Sequence, residues 1–186
     1  MQKCQWALAS KAEEQYHDKE WGVAVHSDHL LFEFLVLEGA QAGLSWSTIL
    51  NKRQNYRVAF DYFDAEKIVA YSAHKIAQLL NNQGIVRNKL KINAVINNAK
   101  AFLEIQQQEG GFEQYIWQFV QGKTIQNHWQ QASQIPVSTI ESEQMSKSLK
   151  QKGFKFVGPT ICYAYMQAVG MVNDHTVDCF RHSQLG

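Results

Sequence analysis

Apolar residues recur at helical spacing along almost the whole chain, and only two prolines interrupt it. Alternating runs of β-branched residues, which a half-buried strand needs, are scarce. The clearest stripe is Ile92, Val95, Ile96, Ala99, Phe102 and Leu103, one face of a helix starting near Arg87. Leu30, Leu31, Phe34, Leu35 and Leu37 form another, with Asp28 placed to cap it and Gly39 to end it. Ser45 is placed to cap a helix whose inner face is Trp46, Ile49, Leu50, Arg53 and Phe60, and Asp64 and Ser72 to cap two short ones. Phe112 to Val120 and Ser142 to Lys152 are helical, and Pro159 suits the first turn of a helix running to about Gly170. Residues 121–137, rich in Gln, read as a loop. The fold class is all-α, without internal repeat or inter-domain linker.

A length of 186 residues allows one domain, or two small lobes sharing a core. A net charge of +1 excludes a strong global field. Charge is nonetheless local. Residues 81–100 carry Arg87, Lys89, Lys91 and Lys100 and no acid, and residues 144–173 carry Lys147, Lys150, Lys152 and Lys155 and no acid. The N-terminus has no signal-peptide core. The longest apolar run, residues 156–172, is broken by Gly158-Pro159 and Gln167 and is short for a membrane span. Three cysteines make a disulfide framework a poor reading, so a soluble cytosolic protein with no membrane partner is expected.

Three constellations carry chemistry. In Leu37–Trp46, Glu38 ends an apolar run and Gln41, Gly43, Leu44 and Trp46 follow. Glycines at 39 and 43 allow a tight turn and close approach to the backbone. A carboxylate, an amide and an indole facing one small space suit a flat, polar-edged, cationic ligand such as a nucleobase. The second constellation is a helix, the turn Gln83-Gly84-Ile85-Val86 and a basic helix, the pattern of a helix-hairpin-helix DNA module. Gly84 lets the backbone approach a phosphate, free amides at the helix start face the anion, and Arg87 and Lys89 add charge. Such contacts position a protein on DNA without reading bases. The third is Cys4 and His17 at one end of the chain with His175 and Cys179 at the other. The His-x-x-x-Cys pair would share a helical turn. Two Cys and two His fill a tetrahedral zinc shell, leaving no bound water to activate. Such a metal is structural and ties down both termini. Cys162 reads as core.

With these residues collected, the chain resembles the DNA-3-methyladenine glycosylase I family, the constitutive alkylation-repair glycosylases of bacteria. The likeness rests on Tyr16-His-Asp-Lys-Glu-Trp-Gly22, Glu38-Gly-Ala-Gln-Ala-Gly-Leu-Ser-Trp46, Gly153-Phe-Lys-Phe-Val-Gly158 and Asn173-Asp-His175. That family is similar to the helix-hairpin-helix glycosylases but lacks their catalytic aspartate after the hairpin. This chain agrees, having no Asp or Glu between Glu66 and Glu104.

The resemblance implies a single unit over 1–186, with a helical barrel lobe at about 28–115 holding the hairpin at 83–89. Residues 1–27 with 116–186 would form a zinc-stapled terminal lobe. It implies one structural zinc on Cys4, His17, His175 and Cys179. Glu38 would be the catalytic residue and bind the damaged base, with Tyr16 and Trp46 sandwiching or flanking it and Trp6 lining the pocket. Leu44 and Gln41 would enter the stack left by the extruded base. The partner would be double-stranded DNA containing alkylated adenine, bound by a monomer. Two departures are Glu13, where the family commonly has an aromatic, and Ala24, where it has Pro. The rival readings are a non-catalytic zinc-stapled DNA-binding module, and a zinc hydrolase using one ligand fewer.

Overall fold

The structure, a computed structural model, describes residues 2–108 and 110–186. Its centre is α2 (Asp28–Gln41), in which every residue from Leu31 to Ala40 is buried. A helix apolar around its whole circumference must be enclosed by others. It lies against α3 (Trp46–Ala59), α6 (Lys89–Gln108), α7 (Phe112–Trp117) and α9 (Pro159–Ala168). One continuous apolar cluster runs from Tyr16 to Val172. α1 (Lys11–Lys19) packs on α3, and α4 (Ala65–Val69) and α5 (Ala73–Asn81) pack on α6. α8 (Ile140–Gln151) closes over α9, and α10 (Phe180–Gln184) ends the chain. No described helix is long and apolar enough to cross a membrane.

Ser45, Asp64 and Ser72 cap the helices expected of them. Asp28 does not cap its own helix. Ser27 does, accepting from the Leu30 N–H, while the Asp28 carboxylate accepts from the Phe112 and Glu113 N–H groups at 3.0 and 2.7 Å. A carboxylate at the start of one helix thus caps another far along the chain. α2 also runs past Gly39 to Gln41. The Lys91 ammonium donates to the Ala40 and Ala42 carbonyls at 2.8 and 2.6 Å, satisfying the last turn from outside. Gly39 is needed for space instead, since a Cβ there would lie 3.3 Å from Phe156 Cβ. The loop at 121–137 hides a parallel pair, β1 (Ile125–Gln126) with β2 (Val172–Asn173).

Candidate active site

Two carboxylates on α2 have opposite surroundings. Glu33, 1% exposed, accepts from Arg53 Nε at 2.7 Å and from Arg57 Nη2 at 2.8 Å, and Arg53 Nη1 reaches Glu20 at 2.6 Å. Glu33 is therefore compensated. Glu38, 4% exposed, has no hydrogen-bond or ion-pair partner among the described residues. Burial alone pushes its carboxyl up to about 8. A buried unpaired acid is expensive to keep, so it marks a place where something else supplies the partner.

Glu38 lies on the wall of a cavity of about 310 Å³ with Trp6, Glu13, Tyr16, Trp21, Gln41, Trp46 and Gln167. That volume suits a ligand the size of a base. The Tyr16 hydroxyl and the Trp46 Nε1–H are buried with no acceptor among the described residues. Two residues with unmet donors and one with an unmet carboxylate thus line a single cavity, each unmet group costing about 1–3 kcal/mol. Tyr16 and Trp46 have ring centroids 5.2 Å apart. A base stacked between two rings needs about 7 Å, two van der Waals spacings. The two rings, tilted by 43°, therefore stand side by side as one wall of the cavity and leave no space for a flat ring between them here. Trp6 lies at 6.3 Å from Tyr16 and 5.1 Å from Trp21, extending the aromatic lining.

A second cavity meets the first at Glu38, Gln41 and Ala164 and is bordered by Gly43 and Leu44. Gly43 has φ +78, the left-handed turn that releases the chain from α2. Leu44 is 41% exposed at the mouth. The hairpin lies nearby, since α6 begins at Lys89 and Lys91 holds the loop's carbonyls. Lys91, counted among the cations of residues 81–100, is thus spent internally. Asn88 caps α6, its Oδ1 accepting from the Leu90 and Lys91 N–H groups. Arg87 and Lys89 are exposed, and their backbone N–H groups meet no acceptor among the described residues. Gly84 is not left-handed. A Cβ there would meet Asn55 and Asn82 at 3.0 Å, so the glycine also serves close packing on α3.

Behind the aromatic wall, Cys4, His17, His175 and Cys179 are all buried, with ligand atoms within 4.8 Å of one another. Cys179 Sγ is 3.4 Å from His17 Nε2 and 3.5 Å from His175 Nδ1, and Cys4 Sγ is 3.6 Å from His175 Nδ1. Sulfur and nitrogen at ordinary bond lengths around a tetrahedral ion lie roughly 3.5 Å apart, so the donors fit. The outer ring nitrogens are held as metal-binding imidazoles usually are, His17 Nδ1 by Asp18 at 2.8 Å and His175 Nε2 by the Trp21 carbonyl at 3.1 Å. Burial pushes the Cys4 thiol up to about 11 and the His175 imidazole down to about 4, and a bound cation would draw the thiol back toward thiolate. The His175–Cys179 segment is a turn rather than a helix, with Cys179 ahead of α10. Cys162 is fully buried in the core, its thiol pushed up to about 12 by burial.

Sequence reading missed Trp21 and Gln167 as cavity residues. Trp21 lies just past the end of α1, where helical spacing no longer assigns a face. Gln167 is held by Asp174, which also accepts from Asn127, Trp129 and Tyr163. Four donors saturate Asp174, which makes it a buttress and not a base.

The family model for methyladenine glycosylases matches residues 6–182. DNA-3-methyladenine glycosylase 1 of Escherichia coli (strain K12) is 45% identical over 179 residues, 96% of each chain. A crystal structure of a 3-methyladenine DNA glycosylase I superposes with a TM-score of 0.94 at 46% identity, covering 96% of this chain and 98% of that one. A crystal structure of a variant 3-methyladenine DNA glycosylase I in complex with 3-methyladenine does so at 0.93 and 35%, covering 97% of each.

Proposed function

Because the chain belongs to the methyladenine glycosylase family, we propose that it excises 3-methyladenine from alkylated DNA, leaving the free base and an abasic site. The observation that carries this reading is Glu38, an unpaired carboxylate on a base-sized aromatic cavity. A base must leave the duplex to be reached, at a cost of a few kcal/mol. Gln41 and Leu44, at the mouth, fill the gap it leaves. Methylation at N3 makes adenine cationic in DNA. When the C1′–N9 bond breaks, its electron pair passes to the base, which departs neutral and needs no proton. The sugar becomes oxocarbenium-like, water adds to C1′, and its proton passes to solvent. Glu38 complements the charge and accepts from the exocyclic amine, so positioning and electrostatics carry the catalysis. A non-catalytic DNA module has no use for such a carboxylate.

Zinc fits the four donors. A bound zinc would neutralise the thiolates of Cys4 and Cys179 and close the shell with His17 and His175, which suits a structural ion, and a hydrolytic role would require a ligand fewer. We read the protein as one unit of two lobes, a monomer acting on double-stranded DNA in the cytoplasm. Chromatography of methylated DNA after incubation tests the function directly. Release of 3-methyladenine supports it, and failure to release any alkylated base refutes it.

Two further expectations concern the DNA face. Arg87→Ala or Lys89→Ala should weaken binding alike across sequences and reduce the salt slope by roughly one phosphate each. Unchanged slopes would remove the hairpin from the interface. The enzyme should also be monofunctional, because Asn88 stands nearest the place where strand-cutting relatives carry a Schiff-base lysine. Borohydride should trap no protein–DNA adduct. An adduct that disappears in Lys89→Ala would reverse this.

A further inference from the structure

The base cavity contains a second acid that the reaction above does not use. Glu13, on the first turn of α1, lines it together with Glu38 and Tyr16. No Lys, Arg or His lines this cavity, and Glu13 has no ion-pair partner among the described residues. Its one recorded side-chain contact is with Ser10, whose hydroxyl donates to Glu13 Oε2 at 2.8 Å. The same hydroxyl oxygen accepts from the Glu13 N–H at 3.1 Å.

A glutamate at this position often serves only to cap the helix. In a closed capping box it accepts from the backbone N–H of the cap residue. Among the described residues the Glu13 carboxylate accepts only from the Ser10 hydroxyl, at Oε2, and Oε1 has no partner. It is also half-buried, unlike a solvated charge on an open helix face. An aromatic at this place would add a neutral face, whereas this chain adds a negative charge to a cavity already walled by indoles.

We propose that Glu13 is a second charge selector of the base cavity, favouring bases that enter as cations over neutral bases of the same shape. The inference rests on the glycosylase reading and deepens it. Two carboxylates with aromatic walls form a receptor for a delocalised cation. Glu38 is enclosed and meets the base edge, while Glu13 adds a longer-range field. The substrate is cationic only while bonded to the sugar, and the released base is neutral. Glu13 therefore holds the substrate and lets the product leave.

The test uses the intact protein and its tryptophan fluorescence at mildly alkaline pH. Two probes are titrated, 3,9-dimethyladeninium, a fixed cation, and 3-methyladenine, neutral under these conditions. Glu13→Gln, which keeps size and the contact with Ser10, should weaken the cation about fivefold and the neutral base less than twofold. Ser10→Ala should lower thermal stability and keep the ratio. In wild type, high salt should narrow the ratio, because a half-exposed charge is screened. An unchanged ratio in Glu13→Gln, the same loss in Ser10→Ala, or a ratio insensitive to salt would each overturn the proposal. Base release from methylated DNA by wild type is measured in parallel. Its absence defeats the glycosylase reading itself, whereas normal release with an unchanged binding ratio defeats only the role of Glu13.

Discussion

Glu38→Gln is expected to slow release of 3-methyladenine by at least about a hundredfold while making the unliganded fold more stable at alkaline pH. Both effects have one origin. Glu38 is buried without a partner, and burial holds its carboxyl at about 8 against an ordinary value of 4.5. The folded state therefore binds the proton more tightly than the unfolded chain. This contribution to stability is complete below about 4.5 and is lost as pH rises through about 8. Glutamine carries no such liability. Its melting temperature should exceed that of wild type by on the order of 5 °C at pH above 8, with the gap closing in acid. The cationic base binds the ionised carboxylate, so capture expels a proton. For wild type, kcat/KM should rise with pH towards about 8, while kcat, which reports the loaded pocket, stays flat. A pH-independent kcat/KM, or a less stable Glu38→Gln protein in alkali, would contradict this account of the acid.

Removal of the metal should produce the second large effect. Cys4 and Cys179 are buried beside two buried imidazoles, and without a cation no bond ties these four donors from the two ends of the chain together. Purified protein should contain one zinc per chain. Chelation or Cys179→Ser should lower the melting temperature by on the order of 10 °C. The apolar cluster from Tyr16 to Val172 contains none of the four donors, so the loss should begin at the termini. Amide exchange should accelerate first near Cys4 and Cys179. Activity should fall too, because Trp6 lies 5.4 Å from the His17 ring and Trp21 lies 4.6 Å from the His175 ring, and both indoles line the base cavity. Zinc-free protein of unchanged stability and full activity would refute a structural metal.

The parts of the fold legible in sequence were those set by local spacing. The stripe on α6 and the caps at Ser45, Asp64 and Ser72 needed only periodicity and one hydroxyl or carboxylate. Asp28 escaped because a side chain at a helix start is free to cap a helix far away in the chain. Gly39 misled because a glycine in a helix can serve a neighbour's packing, here Phe156, rather than a turn. The parallel pair at Ile125 and Val172 is two residues per strand, too short to leave a pattern. In the site, the sharing of one cavity by Glu38, Tyr16 and Trp46, and the meeting of Cys4, His17, His175 and Cys179 in one buried cluster, were legible from residue type and motif. Only three dimensions separate Glu38 from Glu33. Both are acids within one apolar helix, and sequence cannot say that Arg53 and Arg57 serve only the latter. The same is true of Lys91, counted by composition in the acid-free stretch 81–100 and drawn inward by two carbonyls.

The central claim is that an uncompensated carboxylate selects a cationic adenine. Single-turnover release of 3-methyladenine, 7-methylguanine and hypoxanthine by wild type and Glu38→Gln tests it most directly. Hypoxanthine is neutral in DNA and keeps a strong glycosidic bond. 7-Methylguanine is cationic but presents a carbonyl where adenine presents an amine. An ionised Glu38 repels that oxygen, and a protonated one forfeits the charge complement. Wild type should release 3-methyladenine far faster than the other two, and Glu38→Gln should lose most of that advantage. Equal release of the three bases by wild type, or undiminished release of 3-methyladenine by Glu38→Gln, would contradict it.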